Sequence, residues 1–81
     1  MEIKKETIKE RVKEAKEYGL SYAQLAREIN IQPVTIYMFM NGNNNLSKVN
    51  KLKILCYIEK YIEQVKEQLR IIEQKGVAIN G

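Results

Sequence analysis

Apolar residues recur three and four positions apart through most of the chain, and the places where that rhythm breaks predict four helices. Ile8, Val12 and Ala15 stand at helical spacing among Lys and Glu in a stretch from Glu2 to Tyr18 that holds no Gly or Pro. That stretch predicts a first helix, ended by Gly19. The segment Leu20-Ser21-Tyr22-Ala23-Gln24-Leu25 carries a full start signal: Ser21 to cap, Gln24 to close a capping box and Leu20 to staple onto Leu25. A second helix follows, from about Tyr22 to Ile29. Asn30 tolerates the left-handed backbone in which helices end. Pro33 then fits a first helical position, where its missing N–H costs nothing. With Ile31 and Ile36 as a second staple, the third helix runs from about Pro33 to Met40. The run Asn41-Gly42-Asn43-Asn44-Asn45 is a loop, because Gly and Asn bond locally or take positive φ instead of continuing a helix.

Ser47 caps a last helix that meets no Gly or Pro until Gly76. Its first half is apolar around much of its circumference, with Val49, Leu52, Ile54, Leu55, Cys56 and Ile58, as a helix buried among the other three should be. From Leu55 the residues Leu55, Ile58, Ile62, Val65, Leu69 and Ile72 alternate steps of three and four, a heptad seam of about two and a half repeats. Something must cover it. A second copy of the chain is the favoured cover, giving a homodimer through these six residues; folding back onto Ile8, Val12 and Ala15 is the other. The pattern divides the chain into a bundle over residues 1–58 and an extension over 59–81, with a short tail. The fold class expected is all-α, a four-helix bundle with a long C-terminal helix.

Composition narrows the chemistry. The 81 residues contain no His, Asp or Trp, and Cys56 is the one cysteine. A metal site needs several ligands and a nucleophile needs a neighbouring base, so neither a cofactor, a metal nor an enzymatic activity is expected. Cys56, inside an apolar run, reads as a buried small side chain. The absence of a long apolar segment predicts a soluble, cytoplasmic chain with no membrane partner. Net charge is +4, from 14 Lys and Arg against 10 acids, but its distribution is more informative. Residues 21–46 carry only Arg27 and Glu28. Lys9 and Lys13 stand at helical spacing from Glu6 and Glu10 and read as locally paired, solvated positions. Lys48, Lys51 and Lys53 have no acid nearby.

Two short helices joined by a tight turn, the second followed by a polar loop, is the arrangement that sets a helix into the DNA major groove. Read without a gap, SYAQLAREINIQPVTIYMFMNG over residues 21–42 resembles the motif of the phage repressor and Cro family of helix-turn-helix regulators. Ser21, Leu25, Ala26, Ile29, Ile31, Thr35, Ile36, Asn41 and Gly42 carry the match, and it extends loosely through Ser47, Leu52, Ile54 and Ile58. The resemblance implies a lambda-repressor-like bundle binding double-stranded DNA. It further implies groove-facing roles for Gln32, Pro33, Val34, Thr35, Tyr37 and Met38. Phosphate contacts would come from the start of helix two at Tyr22, from the start of helix three with its positive dipole end, and from the loop amides of Asn41, Asn43 and Asn44, with Lys48, Lys51 and Lys53 adding charge beside them. The departures matter as well: Tyr22 stands where the family commonly has Gln, and the third helix has no Arg, Lys or Glu.

That neutrality keeps other uses open. A transcription regulator of phage or mobile-element type is the first expectation. A protein-binding module presenting Val34, Tyr37 and Met38 to a repressor, recombinase or polymerase subunit is the second, and a DNA-architectural accessory factor the third.

Overall fold

A computed structural model describes residues 3–76. It contains α1 (Lys5–Glu17), α2 (Tyr22–Glu28), α3 (Pro33–Met40) and α4 (Lys48–Gln74). The first helix, expected from Glu2, begins only at Lys5, with Lys4 extended as its N-cap at φ −74° and ψ 144°; Glu2 itself and the tail over 77–81 lie outside the described residues. Among those described, no helix is long and apolar enough to cross a membrane.

Local signals set the boundaries. Ser21 Oγ accepts the Gln24 N–H at 3.0 Å and Ser47 Oγ accepts the Asn50 N–H at 3.1 Å, so each serine satisfies one amide that the first turn of its helix leaves free. The first three helices close by one device. Leu20, Ile31 and Asn43 return their N–H groups to the carbonyls of Ala15, Ala26 and Met38, while Gly19, Asn30 and Gly42 bond to Lys16, Arg27 and Phe39. This paired closure requires a left-handed residue. Asn30 takes it at φ 62° and Gly42 at φ 81°, conformations that most side chains resist. The turns are therefore short and fixed.

One core joins the elements. Ile8, Val12 and Ala15 of α1 meet Leu25 and Ala26 of α2, Ile36 and Phe39 of α3, and Ile54, Ile58 and Ile62 of α4, with Ile3, Leu20, Ile29 and Leu46 closing the edges. The C-terminal helix is covered by α1, which corrects the expectation of a continuous dimer seam. Ile58 is 0% and Ile62 4% exposed within a single chain, so neither is available to a second copy. Both ends of α1 are tied to α4: Lys51 Nζ donates to the Ile3 carbonyl at 3.2 Å, and the Tyr61 hydroxyl donates to the Tyr18 carbonyl at 3.1 Å.

The cover stops there. At 1.5 Å per residue α1 is about 20 Å long and α4 about 40 Å, so α4 outruns its partner. Val65 and Ile72 are half-buried and Leu69 is exposed. Leu55, the first residue of the expected seam, lies to one side and packs half-buried against the core. Because Ile62 belongs to that core, the bundle continues past the expected boundary at residue 58.

Two further expectations change. Cys56 is exposed, and so are Val49 and Leu52. With Ile54 and Ile58 turned to α1, helical geometry carries positions 49, 52 and 56 to the opposite side of α4.

This arrangement separates two kinds of apolar position on one helix. Ile58→Ala should lower unfolding free energy by about 2–5 kcal/mol, the usual cost of truncating a buried isoleucine. Leu69→Ala should cost under about 1 kcal/mol. Urea unfolding at low protein concentration measures both, and equal losses would contradict the limited reach of α1.

Candidate nucleic-acid interface

The outer face of α3 follows from which of its residues are taken by the core. Ile36 and Phe39 point inward at 1% exposure each, and Met40 is half-buried. At 3.6 residues per turn this leaves Pro33, Val34, Tyr37 and Met38 outside, and all four are exposed. Val34 is 58%, Tyr37 49% and Met38 39% exposed. Thr35 sits at the flank, half-buried, its N–H returned to the Gln32 carbonyl at 3.0 Å. Gln32 occupies the N-cap position of α3 yet makes no side-chain cap bond. Unlike Ser21 and Ser47, it keeps its side-chain amide free on the surface.

Tyr22 at the start of α2 is beside this face. Its ring meets that of Tyr37 edge to face, centroids 5.0 Å apart at 70°, an arrangement that matches the positive edge of one ring to the negative face of the other. Lys16 Nζ lies 4.6 Å from the centroid of Tyr22. Tyr22 thus joins a basic group of α1 to the exposed tyrosine of α3. At the other end of α3, Lys9 Nζ stands 5.7 Å from the centroid of the Phe39 ring, and a Cβ placed on Gly42 would lie 4.0 Å from that Nζ.

These lysines were not among the sequence-predicted site residues. The pairing with glutamate expected of Lys9 and Lys13 does not occur: among the described residues the ion pairs are Arg11–Glu14 and Arg70–Glu67. The helical wheel gives the reason. Lys5, Lys9, Lys13 and Lys16 share one stripe, while Glu6, Glu10, Glu14 and Glu17 share another about 100° round the helix. The core residues lie on the other side of the lysine stripe, so packing turns Lys16 toward α2 and Lys9 toward α3. The signal was present in the spacing, but only the placement of α1 shows which surface it borders.

The loop expectations are corrected in part. The backbone amides of Asn41 and Asn43 bond to the carbonyls of Tyr37 and Met38 at 3.0 and 2.9 Å. They are used in closing α3 and are not free for phosphate. Their side chains remain exposed. Asn44 is half-buried, its Oδ1 turned inward without a partner, and Asn45 Oδ1 accepts the Leu46 N–H at 2.9 Å. Lys48 is exposed, whereas Lys51 is half-buried and engaged with Ile3.

The surface assembled is an uncharged apolar centre with free amides at its ends and α1 lysines along its border. From Ile29 to Ser47 no residue carries a formal charge. Comparison of the chain with protein-family models, with curated proteins and with solved structures found no match.

Proposed function

We propose that the chain is a cytoplasmic, sequence-specific DNA-binding regulator of transcription, with α3 laid in the major groove and α1 lysines reaching the phosphates on either side. The reading is supported by the placement of Lys16 beside the start of α2 and Lys9 beside the end of α3, which puts positive charge at both edges of an exposed helix that has none. Phosphate contact supplies affinity and register, while base contact supplies choice. The two tasks fall here on different helices. The likeness of residues 21–42 to the phage repressor and Cro family supports the same reading.

Two-fold pairing belongs to it. Readers of this kind bind paired half-sites, and the end of α4 beyond α1 offers Val65, Leu69 and Ile72 for a second copy. This remnant spans little more than one heptad, so pairing is weak in the free protein and is completed on DNA.

Binding to duplex DNA should fall linearly on a plot of log affinity against log salt, with a slope of about −0.9 per phosphate neutralised. Lys9→Gln, Lys16→Gln and Lys48→Gln should each flatten that slope by about one unit. Lys51→Gln should leave the slope unchanged, because its ammonium serves the Ile3 carbonyl. Fluorescence anisotropy over a salt series reads this out, and the absence of binding to any duplex at low salt would favour a protein partner for the α3 face instead. For the pairing, sedimentation of the free chain should give a monomer with a minor dimer at tens of micromolar, and two copies per duplex at saturation. Leu69→Glu should abolish the dimer without lowering thermal stability; one copy per duplex in the wild type would refute pairing.

A further inference from the structure

Resting on that reading, we infer that α3 selects A·T-rich major-groove sites, packing Val34 and Met38 against thymine C5 methyl groups and offering the free amide of Gln32 to adenine. Each base pair shows a different edge in the major groove: guanine two acceptors, cytosine a donor, adenine an acceptor beside a donor, and thymine an acceptor beside a methyl. The exposed face of α3 matches this set unevenly. It has no Arg or Lys to serve the paired acceptors of guanine, and no Glu or Asp to accept from cytosine. Over a G·C pair, Val34 and Met38 would strip water from polar atoms and give nothing in return, a desolvation cost with no compensating bond.

Over an A·T pair the fit reverses. Val34 and Met38 lie one turn apart on the same side of α3 and are both exposed. An apolar side chain closing on a methyl removes both from water. Gln32 precedes the first turn of α3, and its side chain is not spent on capping. A primary amide carries the donor and the acceptor needed to bond adenine through two atoms. The surface therefore holds partners for both halves of an A·T pair.

Rigidity gives the contact its selectivity. Tyr37 flanks Val34 and Met38 on the exposed face and is braced edge-on by Tyr22, whose own face carries Lys16. Lys16 thus stands over the ring that holds the reading face in place. Apolar contact is less directional than a hydrogen bond, and this bracing fixes which methyl each side chain can reach.

Selection of bound duplexes from a random pool should return a site rich in A·T pairs. Replacing single thymines in it by deoxyuridine removes only the C5 methyl. At the contacted positions this should weaken binding by about fourfold per methyl, as expected for one buried carbon. The loss should largely disappear in Val34→Ala for one position and in Met38→Ala for another. Both side chains are exposed, so circular dichroism of the variants should match the wild type, and Val34→Thr provides a nearly isosteric second variant. A G·C-rich selected site would overturn the inference. So would an A·T-rich site indifferent to deoxyuridine, which would mean that groove shape is read. In either case salt-dependent binding would stand, and with it the DNA reading. Absence of binding to every duplex would overturn both.

Discussion

Ile8, Val12 and Ala15 on one side, and Ile54, Ile58 and Ile62 on the other, form the seam along which α1 lies on α4, and the other elements take their places from it. Burying each of the valine and isoleucine side chains contributes roughly 1.5–3 kcal/mol before chain entropy is counted. Among the described residues the other helices, α2 with 7 residues and α3 with 8, are too short to hold either along its length. The bonds from Lys51 to the Ile3 carbonyl and from Tyr61 to the Tyr18 carbonyl fix the register of α1 along α4. Gly19 sits under the second of these: a Cβ there would lie 3.3 Å from the Tyr61 hydroxyl. Register in turn decides which way the lysine stripe of α1 faces. A rotation of α1 by one residue would exchange lysine for glutamate at the border of α3 and reverse the sign of the field there.

The short helices depend on that frame. α2 has 7 residues and α3 has 8, far below the length at which a helix persists alone in water. Their stability comes from the buried Leu25, Ala26, Ile36 and Phe39, together with the repeated closures at Gly19, Asn30 and Gly42. Each closure fixes the direction in which the chain leaves, so the angle between α2 and α3 is set by backbone bonds as well as by side-chain packing. Phe39, 1% exposed, fills the space that this angle opens.

Much of this was legible in the sequence because the boundaries are punctuated by residues with few alternatives. Ser21, Asn30, Pro33 and Gly42 each have a backbone role that few other residues fill, and α3 begins and ends where they predict. The phase of α4 was not legible. Steps of three and four describe a stripe that needs a helix against it, but they do not say whose, and α1 answers for Ile58 and Ile62 while leaving Leu69 open. Cys56 was misread for a related reason, since an apolar run on a helix visits every side and only some sides are covered. The loop amides failed differently. Asn41 and Asn43 have the chemistry expected of them, but closure of α3 uses their N–H groups first, and competition for a donor is invisible in a list of residue types. Lys9 was missed because proximity along the helix suggested pairing with glutamate, whereas the stripes diverge around it, and nothing in the spacing singled out Lys16.

An uncharged reading helix has a consequence for how binding energy is divided. Where a recognition helix carries its own Arg, one side chain both attracts the phosphate backbone and reads a base, so affinity for any DNA rises with affinity for the right one. In the proposed complex those contributions come from separate elements. Lysines of α1 and Lys48 attract all sequences alike, and their effect fades with salt. Val34, Met38 and Gln32 discriminate through contacts that salt barely touches. Selectivity measured as a ratio between sites should then hold nearly constant over salt concentrations that change absolute affinity steeply. The coupling that remains runs through Tyr22, which touches both Lys16 and Tyr37, and it links backbone contact to the rigidity of the reading face without adding charge to it.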